Sequence, residues 1–233
     1  MAEIQSSFKR YEKKFVLTRE EYEKILPVVQ AHMVADEYGE YTISNIYYDT
    51  DQYDLIRNSI EKPIYKEKFR VRSYGVPSEN DRIFAEIKKK YKGIVYKRRV
   101  ADTYDKVFAF LESHEELEKD KQIQNEIRFF FRMYEPKPKV FIGYDRLAFA
   151  GKDGEDIRVT FDHNIRWRKE ELDLRLGDQG SPILPEERII MEVKVPGAIP
   201  LWFVKKLSEY QINMGSFSKY GTAYTNYILH ELF

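Results

Sequence analysis

The sequence predicts an α+β protein built on a largely antiparallel sheet. Three observations carry that expectation. At least six segments alternate charged and apolar residues with the period of two that strand geometry imposes. Turn-forming links, Lys92-Gly93 and the stretch GKDGE at 151–155, join neighbouring segments as antiparallel hairpins require. Only a few stretches have helical spacing, so helices flank the sheet. The 233 residues, 42% hydrophobic and 15% aromatic, are enough for one sizeable core. No repeat period, low-complexity tract or linker divides the chain, and residues 1–233 read as a single domain.

In chain order, RYEKKFVL at 10–17 puts Arg10, Glu12 and Lys14 on one face and Tyr11, Lys13, Phe15 and Leu17 on the other. Thr18 and Glu21 form a capping box ahead of Tyr22, Ile25, Leu26 and Val29, predicting a helix over roughly 19–33. A strand is expected over 41–49. YKEKFRVR at 65–72 follows, with Lys66, Lys68, Arg70 and Arg72 on one face. RIFAEIKKKY at 82–91 places Phe84, Glu86, Lys88 and Lys90 together, and the return strand pairs Lys97 with Arg99. A helix is expected over about 103–119. Ile123, Ile127, Phe130 and Phe131 beyond it either extend that helix or open a strand, and the region is read as helical. Strands at 139–149 and 156–162 bring Tyr144 and Arg146 onto one face and Arg158, Thr160 and Asp162 onto another. The acidic, Gly- and Pro-bearing stretch 169–187 reads as a mobile surface loop. RIIMEVKV at 188–195 sets Ile190, Glu192 and Lys194 opposite its apolar face; Pro200 opens a helix, and the tail forms a last turn and helix.

Several function classes are excluded or disfavoured. Lys plus Arg and Asp plus Glu are both 39, so the formal net charge is zero and the chain is not coated for binding nucleic acid. There is no cysteine, which removes disulfide, thiolate and the usual structural zinc chemistry. His32, His114, His163 and His230 lack metal-ligand or triad spacing, and neither G-x-G-x-x-G nor a Walker A loop occurs. No apolar leader and no apolar run of about 18 residues is present, so a cytoplasmic protein without direct membrane insertion is expected, its membrane contact only through a partner protein.

What remains is the recurring basic face. Four cations about 6.6 Å apart on one strand repel by roughly 2.5 kcal/mol per neighbouring pair at an effective dielectric of 20. Such a face is either well solvated or meets a polyanion. Were about eight strands to close into a barrel, these residues would point inward and call for anionic guests and metal ions. Guanidinium forks suit phosphate oxygens, and the glutamates among them, Glu12, Glu86 and Glu192, suit Mg²⁺ or Mn²⁺.

Seven short motifs in series resemble the VTC domain, the polyphosphate polymerase domain of the vacuolar transporter chaperone, among the triphosphate tunnel metalloenzymes. They are Arg10-x-Glu12-x-Lys14, Phe69-Arg70-Val71-Arg72, Phe84-Ala85-Glu86-Ile87-Lys88, Tyr144-Asp145-Arg146, Ile157 to Asp162, Met191-Glu192-Val193-Lys194 and Ser218-Lys219-Tyr220. The resemblance implies an antiparallel eight-stranded β-barrel with flanking helices, a tunnel whose inward cations bind ATP, triphosphate or polyphosphate. Carried over residue by residue, it makes Arg70, Arg72, Lys88, Arg146 and Arg158 the catalytic phosphate ligands. Lys14 and Lys219 bind substrate with the help of Ser218, and the strand faces add Arg10, Lys68 and Arg99 to them. Glu192 holds the metal, with Glu12 and Glu86 as further ligands. The CYTH branch, which includes triphosphatases, begins E-x-E-x-K; Arg10 in place of the first glutamate favours the VTC branch. No regulatory SPX domain or transmembrane segment is seen, so translocation and inositol-phosphate control are not implied. The expected activity is metal-dependent transfer of the ATP γ-phosphate onto polyphosphate, the rivals being a triphosphatase of the same fold and a non-catalytic polyphosphate-binding module.

Overall fold

A computed structural model of the chain describes residues 11–231 except 93, 114, 153, 185 and 186. Arg10, and with it the expected cation at the start of the first strand, lies outside the described residues, as do Gly93 and His114.

β1 (Tyr11–Leu17) runs into α1 (Arg19–His32), where the capping box forms: the Thr18 hydroxyl accepts from the Glu21 amide at 3.1 Å and the Glu21 carboxylate accepts from the Thr18 amide at 2.7 Å. β2 (Met33–Asp49) starts eight residues before the strand expected at 41–49, with a register shift between Ala35 and Glu40 that lets one strand bend. α2 (Asp54–Ile60), which the sequence pattern did not announce, leads into β3 (Tyr65–Tyr74), β4 (Arg82–Tyr91) and β5 (Ile94–Thr103). Tyr91 pairs with Ile94, and Lys92 after Tyr91 takes φ 47°, the left-handed region. The helix expected over 103–119 is α3 (Tyr104–Ser113), and the region around Ile123 to Phe131, read as helical, forms a separate α4 (Lys121–Tyr134). Gln124 explains the break: its side chain bonds the Leu117 amide, the Leu117 carbonyl and the Lys119 carbonyl at 3.1, 2.9 and 2.6 Å, satisfying backbone that leaves the helix. β6 (Lys137–Gly151), β7 (Arg158–Arg168), the two-residue β8 (Ser181–Pro182) and β9 (Ile189–Val195) follow, then α5 (Leu201–Glu209) and α6 (Lys219–Ala223).

The stretch 169–187 is more tied down than its composition predicts. Leu174 and Ile183 are fully buried, and the Arg168 guanidinium donates to the carbonyls of Glu171, Asp173, Gly177 and Gln179. Buried apolar anchors and an arginine that satisfies four carbonyls override the acidic, glycine-bearing surface pattern.

All strand pairs are antiparallel, in the order β1-β9-β7-β6-β2-β3-β4-β5, with β8 on β7. The described ladder has β1 and β5 as its ends and is not closed by backbone hydrogen bonds. It is nonetheless rolled. Six strand spacings separate β1 from β4, about 29 Å on a flat sheet at ~4.8 Å each, yet Glu12 of β1 and Lys88 of β4 meet at 4.0 Å. The sheet therefore forms an antiparallel tunnel with an open seam.

Alternation assigns the cores. Phe69, Val71, Ile83, Ala85 and Ile87 pack outward under α3 and α4; Phe15, Leu17, Val159, Phe161, Met191 and Val193 pack outward under α1 and α5. A third cluster lies on the concave side, where Ile43, Tyr47, Val140, Ile142, Ile165, Trp167 and Ile190 enclose Tyr220, Ala223, Tyr224 and Ile228 of the C-terminal helical segment. That segment plugs part of the tunnel and leaves the rest to charged residues.

Candidate functional site

Cross-strand register builds the first group. Arg70 faces Glu86 across β3–β4, and Glu86 faces Arg99 across β4–β5. Glu86 is buried and draws in Arg70 at 2.8 Å, Lys97 at 2.5 Å, Arg72 at 3.8 Å and Arg99 at 3.9 Å. Arg70 also donates to the Tyr47 hydroxyl at 2.9 Å, and Arg72 to Asn45 at 2.8 Å and Tyr144 at 3.2 Å. Two arginine forks are thus held at fixed angles by carboxylate, amide and phenol.

The second group centres on Asp162 and Glu192. Arg146 binds Asp162 bidentately at 2.6 and 2.7 Å, and Lys219 reaches the same carboxylate at 2.5 Å. Glu192 has Lys14 at 3.1 Å, Lys194 at 3.5 Å and Arg146 at 3.9 Å. Lys14 bridges onward to Glu12 at 3.5 Å, and its ammonium also donates to the Phe217 carbonyl at 3.1 Å. Ser218 caps α6 through the Gly221 amide and accepts from Lys68 at 3.3 Å. The concave face thus carries Lys14, Lys68, Arg70, Arg72, Lys88, Lys97, Arg99, Arg146, Lys194 and Lys219, ten cations, around Glu12, Glu86, Asp162 and Glu192.

Charge crowding is visible in the proton affinities. Burial raises the carboxyls of Glu86, Asp162 and Glu192, but their cations outweigh it and hold all three below the usual carboxylate range, Glu192 far below. Burial lowers the lysines instead: Lys97 falls to about 7 despite Glu86, and Lys68 falls to about 8 with Lys66, Lys88 and Lys14 nearby. Burial raises the Tyr47 phenol, yet Arg70 and Arg72 bring it down to about 8. Burial opposes the charge of Lys14 too, but Glu192 and Glu12 raise it overall.

Of the residues singled out from sequence, Lys14, Lys68, Arg70, Arg72, Lys88, Arg99, Arg146, Ser218, Lys219, Glu12, Glu86 and Glu192 share this face. Arg158 stands at its rim, half exposed and paired with Asp36 at 3.2 Å. Asp162, Lys97 and Lys194 were not singled out; Asp162 closes the motif in β7, but its link to Lys219 spans 57 residues. Among the described residues no three His, Asp or Glu side chains gather into a metal cage. Glu86 is saturated by cations. Glu12 and Glu192 are near enough to raise one another's proton affinity, and the Lys14 ammonium sits between them. Two carboxylates are donors that Mg²⁺ takes, and the position between them is held by the Lys14 ammonium, which a metal on this pair would displace.

The family model of the VTC domain matches residues 9–228. The chain belongs to the VTC domain family. No curated protein matches the sequence. Among solved structures, a candidate adenylate cyclase from Bacillus halodurans is 12% identical with a TM-score of 0.57, covering 92% of this VTC domain and 96% of that chain. A candidate adenylate cyclase from Vibrio parahaemolyticus is 11% identical with a TM-score of 0.50, over 94% and 98% of the two chains. A Hippeastrum protein described by a dominant triphosphatase activity is 13% identical with a TM-score of 0.50, over 92% and 95%. At these identities the likeness is one of fold: the VTC domain has the tunnel architecture of these proteins. No helix among the described residues of the VTC domain is long and apolar enough to cross a membrane.

Proposed function

We propose that this VTC domain is a metal-dependent polyphosphate polymerase that transfers the γ-phosphate of ATP to a growing polyphosphate chain. The observation that supports this reading is the convergence of ten cations from six strands and one helix on a single concave face, with their guanidinium forks oriented by carboxylates. A terminal phosphate oxygen of the acceptor forms the new P–O bond, the bond between the γ-phosphorus and the β–γ bridging oxygen breaks, and ADP leaves. The acceptor oxygen is already ionised, so no general base is required. Arg70, Arg72, Lys88 and Arg146 hold donor and acceptor in line, Arg158 guides phosphate at the rim, and Lys14, Lys68, Arg99, Ser218 and Lys219 bind the chains. Glu192 and Glu12 would hold Mn²⁺ or Mg²⁺, which when bound neutralises charge on the phosphate oxygens.

Hydrolysis by the same fold needs a proton acceptor for water, and Glu12 is the carboxylate nearest that task. Burial raises its carboxyl, yet Lys88 and Lys14 hold it below the ordinary glutamate value, which makes it a weak base and favours transfer. Incubating the protein with ATP and Mn²⁺ and resolving products on a polyphosphate gel tests the reading. A ladder of chains with ADP supports it; orthophosphate alone replaces it with the triphosphatase, and binding without turnover replaces it with a polyphosphate-binding module. ATP, triphosphate and polyphosphate are the proposed ligands, in a cytoplasmic setting where only a membrane-protein partner would bring the domain to a bilayer.

A further inference from the structure

One end of the tunnel is faced with rings. Tyr74 ends β3, Phe84 is the third residue of β4, and Tyr41 sits midway along β2 beside the point where β3 stops, all on the concave side by alternation with Arg72, Glu86 and Ile43. They form a continuous row, Tyr41 to Tyr74 at 5.8 Å and 59°, Tyr74 to Phe84 at 5.7 Å and 87°. Tyr74 lies parallel to neither neighbour, so its face is not consumed as it would be in a stacked pair. Tyr74 is 49% exposed, so its ring is open to a ligand.

The row joins the cation groups directly. The Arg99 guanidinium lies 4.5 Å from the Phe84 ring centroid, and Arg99 reaches Glu86, the hub of the Arg70 and Arg72 group. Tyr41 is next to Arg146 in register, and both Arg146 and Arg158 act on its phenol, though burial remains the stronger influence and raises it. A ligand with its phosphates among these arginines has its other end on the rings.

We propose that this aromatic mouth seats the base of a nucleoside triphosphate, with Tyr74 as the stacking surface, so that the donor enters base outward and phosphate inward. The inference rests on the phosphate-binding reading above and adds which part of the donor lies where. Every base has a flat π face, so the platform favours nucleoside triphosphates as a class over inorganic tripolyphosphate and selects weakly among bases.

Calorimetric titration of the whole chain with ATP and with inorganic tripolyphosphate separates the possibilities. Tyr74→Leu keeps an apolar contact with Tyr41 and Phe84 but removes the ring face; it is expected to weaken ATP about tenfold and leave tripolyphosphate within twofold. Tyr74→Phe should retain wild-type ATP affinity. Equal weakening of both ligands by Tyr74→Leu, or no weakening of ATP, overturns the platform while leaving the phosphate site standing. Wild-type protein that binds neither ligand overturns both.

Discussion

Glu192 lies between Lys14, Lys194 and Arg146, and its charge is held so firmly that it is ionised throughout the useful pH range. Replacing it by glutamine keeps the shape and removes one negative charge and, on the proposed reading, a metal ligand. Glu192→Gln should lose turnover and Mn²⁺ dependence by about 100-fold or more, while tripolyphosphate affinity, measured by titration without metal, is maintained or tightened. Unchanged metal-dependent turnover would remove Glu192 from the site. Arg72 is expected to differ from Arg70. Arg72 is buried and holds Asn45 and Tyr144, so Arg72→Ala leaves the Asn45 carbonyl unpaired and should destabilise by about 1–3 kcal/mol in denaturant unfolding. Which side chains share the concave face was legible where the period of two was clean, as at Lys68, Arg70, Arg72 and Glu86. It was not legible at Asp162, because an aspartate ending a strand is common and only the folded chain brings Arg146 and Lys219 to it.

At the scale of elements, Asp49 ties three together. Its carboxylate accepts from the Leu55 and Ile56 amides at the start of α2, at 2.9 and 3.0 Å, and from the Tyr220 hydroxyl of α6 at 2.9 Å. Asp49→Ala strands those donors in a buried setting, and a loss of about 3 kcal/mol or more is expected, read as an earlier denaturant midpoint with an unchanged slope. The sequence announced β1, β3, β4, β5 and β9 because each keeps one face polar. It obscured how β2 and β6 lie, since Ile43 and Tyr47 on one face and Ile46 and Tyr48 on the other are all apolar and all buried. Both faces of those strands meet protein because the C-terminal helical segment fills the concave side. The division of 103–134 into two helices was hidden for a different reason: Phe129, Phe130 and Phe131 are a run that strands also carry, and the break depends on Gln124.

For the whole molecule, ligand should act as a clamp on a sheet whose end strands share no backbone ladder. Tripolyphosphate at 100 times its dissociation constant stabilises by about 2.7 kcal/mol, a rise of roughly 5–10 °C in Tm for a chain of this size, to be read by differential scanning calorimetry. The lowered lysines give this a pH signature. Lys97 at about 7 and Lys68 at about 8 are charged less readily folded than unfolded, so protons are released on folding between these values and the ordinary lysine range. Stability of the free protein therefore gains from these two groups as pH rises from about 7 toward 10, whereas tripolyphosphate affinity falls and binding takes up protons. Titration at pH 8 in buffers of different ionisation enthalpy should show that uptake; its absence would mean that neither lysine touches the ligand.

Cations outnumber carboxylates on the concave face, and because the chain as a whole is formally neutral, carboxylates outnumber cations over the remainder. On the proposed reading, that balance would sort polyanions by girth: a duplex or an acidic protein surface would meet carboxylates first, with the inner cations screened beyond about 8 Å at physiological salt, and a single phosphate filament would be thin enough to reach them.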